Sequence, residues 1–397
     1  MRRAVIVDLV RSPFGRGRPG GALDGEHPVD LYAGVLHELV RRTGIDPHLI
    51  EDVITGCVIQ VAEQSGNIGR QAVLAAALPE SVPAVTLDRK CGSAQQALDF
   101  AAQGVIAGAY DVVVAGGVEM MSLVPMRINR MGKDNEGPSF HRRYPEGLVR
   151  QGISAELIAA RWAIGREEMD RFALDSHLKA AAAEDHGWTR QSIVPISVPQ
   201  ANGAARLVEH DEGLRRDTTI ERLRSLKPAF EDAQMAARFP QIRWSVTAGN
   251  SSQLTDGAAA ALIAEESVAA RLGLRLRAAV THFALAGGDP IMMLTAIIPA
   301  TAKLLKRAGL KIDQIDAFEV NEAFASVVLA WIKETGAETG RVNALGGAIA
   351  LGHPVGASGG RLLANLLATL EQKGGRFGLQ TMCESGGMAN ATLIERL

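Results

Sequence analysis

The chain has 397 residues, 47% of them hydrophobic and only 4% aromatic, with 42 glycines and a formal charge of −2. That length exceeds one ordinary core and implies two or three domains or a duplicated unit, built from Ala- and Gly-rich helices packed closely on buried sheets. The charge excludes a global pull toward nucleic acid or an anionic membrane, and no apolar run reaches the length needed to cross a bilayer.

The first segment, MRRAVIVDLVRSPFG, reaches Asp8 and Arg11 within a strand-length run and so lacks a signal-peptide core. Residues 4–10 read as a strand and 29–43 as a helix closed by Gly44. A strand at 53–59, a helix at 66–77, a short strand at 84–87, a helix at 91–107 and a strand at 111–117 follow. This alternation indicates a layered α/β unit. From 119 to about 245 the texture changes. Methionine, arginine and proline crowd 120–150, helical patterns cover 153–163 and 166–186, and 200–245 is loop-rich, so the region reads as an insertion. Its 17 Lys and Arg against 15 Asp and Glu over 120–227 are too balanced to predict an anion site. After TAGNSSQLTDGAAAALIA (247–264) the layered pattern resumes, with strands at 276–286, 315–320, 376–383 and 389–395 and helices at 291–308, 321–335 and 354–371.

The two layered stretches share an order. Cys91 opens a helix followed by a strand that ends in Gly116-Gly117; His353 precedes a helix followed by a strand that leads through Cys383 to Gly386-Gly387. Two pseudo-equivalent halves would place Cys91 and His353 at corresponding corners.

Three cysteines, Cys57, Cys91 and Cys383, are too few and too spread for a disulfide framework or a zinc site, and a reducing cytoplasm is the default expectation. Two motif matches fail on context. GRGRPG (15–20) matches the dinucleotide fingerprint, but RGRPGGALDGEHP follows it and no helix begins until about residue 29. GASGG (356–360) matches the hydrolase elbow, yet Gly352-His353-Pro354 precedes it and His353 is the last histidine, so no triad can follow; Ser358 reads as a small residue in a tight helix start. On residue type alone Cys91 is either a buried filler or a nucleophile at a strand-to-helix turn, where backbone N–H groups and the helix dipole favour thiolate near neutral pH.

Five blocks, DRKCGSA (88–94), AGNSSQLTDGAA (248–259), EVNEAFA (319–325), GGAIALGHPVGASGGR (346–361) and MCESGGMANA (382–391), resemble the thiolase family in order and separation, and RSPFGRGRPGGAL (11–23) is similar to its N-terminal segment. The resemblance covers essentially the whole chain. It implies a layered α-β-α-β-α arrangement of two pseudo-equivalent mixed-sheet halves with an inserted loop domain. The expected division is 1–118 with 246–268 for the first half, 119–245 for the insertion and 269–397 for the second half. It further implies a CoA-dependent acyltransferase that cleaves 3-ketoacyl-CoA to acetyl-CoA and a shortened acyl-CoA by a ping-pong route, with the reverse condensation possible. CoA is then a co-substrate, and neither a tightly bound cofactor nor a metal is expected. Cys91 would carry the acyl group, His353 would take its proton, and Cys383 would protonate the leaving carbanion and deprotonate incoming CoA. Asn321 would hold a water that joins His353 in one oxyanion hole, while the backbone N–H groups of Cys91 and Ser385 form the other. Glu322 is expected to support the site by hydrogen bonding and Phe324 to line the pantetheine tunnel. Ala248, Gly249 and Ser252 match pantetheine-contacting positions, and Arg215 falls near the adenosine end. Asn321 also suits an N-cap for a helix over 322–335, and Cys57 reads as core.

The chain departs from the family at Asp88, often Asn, at Ala94, often Gly, and at Ser385, where many relatives have glycine. Ser385 is harmless only if its backbone does not need a positive φ. Glu384 resembles a degradative branch that includes enzymes for bulky acyl chains. Two other functions are weighed against thiolysis. A decarboxylating ketosynthase would pair its cysteine with two histidines, and a silent acyl-CoA binder would not retain Cys91, His353 and Cys383 together. A homodimer or homotetramer is expected.

Overall fold

A computed structural model describes residues 2–200 and 203–397; Met1 and residues 201–202, the latter inside the stretch expected to be loop-rich, lie outside them. The described strands are β1 (Ala4–Arg11), β2 (Gly15–Arg16), β3 (Val53–Gly56), β4 (Ala84–Leu87), β5 (Val112–Met120), β6 (Ile196–Pro199), β7 (Ala205–Val208), β8 (Thr255–Glu265), β9 (Ala278–Gly287), β10 (Ala317–Val320), β11 (Phe377–Glu384) and β12 (Met388–Arg396). Ten of them form one hydrogen-bonded sheet in the order β10-β11-β12-β9-β1-β8-β5-β3-β4, with β2 paired to β8.

Apart from β2 and the edge strand β4, the sheet is two copies of one four-stranded arrangement joined at β1 and β9, which pair antiparallel from Ala4↔Val280 to Ile6↔Ala278. In the first half β3 runs parallel to β5, β5 antiparallel to β8, and β8 antiparallel to β1. In the second, β10 runs parallel to β11, β11 antiparallel to β12, and β12 antiparallel to β9. The pairing sense is identical at every step, so the shared order read in the sequence is a shared topology.

Helices fill three layers. Pro28–Thr43 and Ile68–Ala75 pack outside the first half, and Ile297–Ala308 and Ala325–Thr335 outside the second. Ser93–Ala107 and Ser358–Lys373 lie between the halves, where Ala97, Leu98, Ala101, Leu363, Leu366 and Leu367 share one core with Ile6, Ile263 and Ile394. The result is the layered α-β-α-β-α arrangement. The small side chains matter here: a Cβ on Gly360 would lie 2.4 Å from the Ala259 methyl, and one on Gly116 would lie 2.1 Å from the Ala259 carbonyl. Alanine on β8 thus sets how closely the central helices approach.

Several boundaries differ from the expectation. The long buried strand β8 carries no strand signal in its sequence, because an Ala-rich run shows neither β-branched enrichment nor alternation. The helix expected from 321 begins at Ala325, with Phe324 as its N-cap residue and no side-chain cap. Asn321 therefore does not cap it; residues 321–324 stay outside the helix, and Asn321 donates its N–H to Thr381 O within β11. Residues 119–245 hold helices Gln151–Arg161 and Arg166–Asp185, where helical patterns are expected; the β6–β7 hairpin and the short helices Ile220–Arg224 and Ala233–Arg238 are not part of that expectation. Arg11, fully buried, pairs with Asp211 at 2.7 Å and ties this region to β1. No helix among the described residues is long and apolar enough to cross a membrane.

Candidate active site

Cys91 sits in the turn between β4 and helix Ser93–Ala107, with Gly92 as the helix N-cap residue. The turn is held from within. Asp88 Oδ1 accepts the Lys90 N–H at 2.7 Å, Ser93 Oγ accepts the Arg89 N–H at 2.9 Å, and the same hydroxyl donates to Lys90 O at 2.6 Å. Lys90 adopts a φ of 50°, a left-handed conformation costly for a side-chain-bearing residue and sustained here by that cross-bracing. Asp88 thus does with a carboxylate what asparagine does with an amide, so this departure leaves the turn intact.

His353 arrives from the other half on a loop that docks against the cysteine turn. Gly356 O lies 2.1 Å from where a Cβ of Gly117 would stand, and a Cβ on Gly359 would stand 2.3 Å from the Gln95 N. Val355, two residues past His353, shares a small core with Cys91, Val58, Met121, Leu362 and Met382. The GASGG stretch is therefore packing glycine, as its context indicated.

One residue in that stretch does more than pack. Ser358 Oγ lies 2.6 Å from His353 Nδ1 and donates its own proton to Pro354 O at 2.8 Å. With its proton engaged, the hydroxyl can only accept from the ring, so Nδ1 carries the hydrogen and Nε2 is left bare. Nε2 faces Asn321 Nδ2 at 3.4 Å. The sequence reading gave Ser358 only a packing role. A histidine and a serine five residues apart across a turn form no regular pattern, so nothing in the spacing marked it. Asn321 Oδ1 is buried without a hydrogen-bond partner among the described residues, leaving an acceptor free for a water or a ligand.

Cys383, near the end of β11, is close enough to Cys91 for the charge of one to hold back the ionisation of the other. Burial pushes both thiols up, Cys91 to about 12, with the carboxyl of Glu384 adding to the effect and the N–H groups of Cys91 and Ser385 opposing it. Burial, helped by Arg361, pushes His353 down to about 3. The expected thiolate is thus not the resting form. Desolvation outweighs the helix terminus, so the resting site pairs a neutral thiol with a neutral imidazole, and the proton must move as the sulfur attacks.

Ser385 is absent from the non-glycine residues with positive φ, while Gly386 and Gly387 carry φ of 91° and 80°. The turn puts its left-handed conformations on the two remaining glycines, so serine fits at 385. Its N–H lies close enough to Cys91 to favour the ionised sulfur.

Glu322 is buried, and its carboxyl is taken up by structural partners. It accepts from Ser176 Oγ at 2.7 Å, Ile349 N at 3.1 Å and Asn343 Nδ2 at 2.9 Å, fastening helix Arg166–Asp185 to the 346–349 turn. Phe324 stacks edge-on against Phe230 at 5.8 Å. Gly249 is buried against Leu223 and Leu226, Ala248 and Arg215 are exposed, and Ser252 is half-buried with its N–H on Ala323 O. Cys57 is core, between β3 and the Gly356 turn.

The family descriptions "Thiolase, N-terminal domain" and "Thiolase, C-terminal domain" match residues 4–267 and 274–396. The chain belongs to the thiolase family. It is 45% identical to the steroid 3-ketoacyl-CoA thiolase FadA6 of Mycobacterium tuberculosis, covering all of this chain and 95% of that one. It is 42% identical to the 3-ketoacyl-CoA thiolase of Aliivibrio fischeri over the full length of both. Among solved structures, the Bacillus anthracis acetyl-CoA acetyltransferase superimposes with a TM-score of 0.89 at 36% identity, covering all of this chain and 99% of that one. The likeness to that structure extends to the layered fold as a whole.

Proposed function

We propose that this thiolase cleaves 3-ketoacyl-CoA with CoA through an acyl group carried on Cys91. The observation that carries the reading is the bare Nε2 of His353, fixed by Ser358 and buried in the corner that packs against the cysteine turn. In the first half-reaction Nε2 takes the Cys91 proton as the sulfur bonds to the keto carbon. The C2–C3 bond breaks, Cys383 protonates the departing acetyl-CoA carbanion, and the acyl group stays on Cys91. In the second, the Cys383 thiolate takes the proton of CoA, the CoA sulfur attacks the acyl carbon, and Cys91 leaves and recovers its proton from His353. A water on Asn321 Oδ1 together with His353 would hold the thioester oxyanion, and the N–H groups of Cys91 and Ser385 the acyl oxyanion; each such donor is worth roughly 3–4 kcal/mol.

The identity to the steroid-named relative and Glu384 after Cys383 favour a degradative enzyme for bulky acyl chains. Ala248, Gly249, Ser252 and Arg215 are assigned to CoA, with Phe324 beside the tunnel, and 1–118 with 246–268, 119–245 and 269–397 to the two halves and the insertion. Strand β4 lies at the sheet edge with Val85 exposed, directly before the Cys91 turn, and is the edge on which a second copy would pair. Three free buried thiols suit a reducing cytoplasm.

Incubation with acetyl-CoA followed by mass spectrometry should show an acetyl group on Cys91 that free CoA removes. Tight CoA binding with no adduct would sink the reading. Thiolysis rates across straight, branched and ring-bearing 3-ketoacyl-CoA substrates then identify the acyl chain.

A further inference from the structure

Glu384 is the last residue of β11, directly after Cys383, and is fully buried. Neither carboxyl oxygen has a hydrogen-bond partner among the described residues. Its position is fixed by contact: a Cβ on Gly92 would stand 2.1 Å from Glu384 Oε1 and 2.8 Å from Asn390 Nδ2, so the carboxyl lies against the Cα of the residue that follows Cys91. Asn390 Nδ2 is already committed to Gly92 O at 3.0 Å. The charged groups that face it are Asp88 and Arg89 in the cysteine turn, Asp99 in the helix that follows, and the two thiols.

A buried carboxylate without donors is costly, and such a group keeps its proton instead. The turn that carries the nucleophile and the strand that carries the second cysteine thus meet on one carboxyl group with no structural partner. We propose that Glu384 is a positioning residue that governs how readily Cys91 and Cys383 give up their protons. As a neutral acid it leaves either sulfur free to carry transient negative charge; as a carboxylate it opposes that charge. The inference rests on the assignment of Cys91 and Cys383 as the reacting thiols.

Burial holds the Glu384 carboxyl up at about 8, so it is neutral near pH 6 and ionised at pH 9. Removing its charge should therefore change nothing at low pH and release the thiols at high pH. The test is the rate of Cys91 alkylation by iodoacetamide, read by peptide mass spectrometry, across pH 6 to 9 in wild type and Glu384→Gln. The expected ratio of variant to wild type is close to one at pH 6 and rises to about tenfold at pH 9. Should the amide fail to fold, Glu384→Met, neutral and of similar length, carries the same expectation. Superimposable profiles overturn the proposal, and so does a variant slowed or speeded by one factor at every pH, which marks Glu384 as merely structural. Failure of the acetyl adduct to form on Cys91 sinks the nucleophile assignment instead, because the alkylation profile does not depend on turnover.

Discussion

The cysteine corner and the histidine corner occupy equivalent places in two halves of matching topology, yet they are held by different means. The turn before Ser93–Ala107 is braced by its own neighbours, Asp88, Lys90 and Ser93, within six residues of chain. The loop before Ser358–Lys373 is shaped by the opposite half, through Gly356 against Gly117 and Gly56 and Gly359 against Gln95. The nucleophile's turn thus carries its own bracing, with Asn390 of the opposite half adding one bond to Gly92 O at 3.0 Å, while the base's geometry is mainly a product of docking. Damage to the docking surface should hurt more than damage to either turn. Gly117→Ala sets a methyl 2.1 Å from a backbone oxygen that no rotamer can move aside. It should cost about 3 kcal/mol by urea denaturation and lower kcat severely. Gly34→Ala, in helix Pro28–Thr43 with nothing within 4 Å, is the control and should be neutral or stabilising. Equal loss in both variants would break the comparison.

Within the histidine corner, Ser358 is the link between packing and chemistry. Ser358→Ala leaves a buried ring N–H without an acceptor, a cost of roughly 1–3 kcal/mol. The ring can escape that cost by moving its hydrogen to Nε2, and in that tautomer it cannot take the Cys91 proton. The expected result is a fall in kcat of about ten- to hundredfold with KM for CoA unchanged. A variant that loses CoA affinity while keeping kcat would make Ser358 a packing residue only.

This asymmetry also explains what could be read from the sequence. The alternation of elements, the matching order of the halves and the rejection of both glycine motifs came from local pattern, and each agrees with the structure. Cys91, Asn321, His353 and Cys383 stand in distinctive blocks, and the proposed roles rest on that resemblance. Three features depended on long-range contact and were invisible. Burial, not the helix terminus, governs the Cys91 thiol, and no local pattern reports how deeply a turn is covered. The role of Ser358 needed the path of a loop. The Ala-rich β8 looked like nothing in particular, because its composition answers to the helices that pack across it.

The central helices extend the contrast between the halves. The seventh residue of Ser93–Ala107 is Asp99, whereas the seventh of Ser358–Lys373 is Ala364. Asp99 is buried and accepts from Thr392 Oγ1 at 2.6 Å, with its other oxygen unpartnered. Burial pushes its carboxyl up to about 8, against an ordinary value near 4 in the unfolded chain. The folded state therefore holds a proton that the unfolded state has released, and its stability falls as pH rises from about 4 to about 8. Asp99→Asn removes that dependence while keeping the shape and an acceptor for Thr392. The variant should match wild type near pH 4 and melt higher at pH 8, by about 2–4 °C in differential scanning fluorimetry. A constant difference between the two proteins from pH 4 to 8 would mean that Asp99 is ionised in the folded enzyme. The first central helix would then carry a buried charge where the second carries a methyl group.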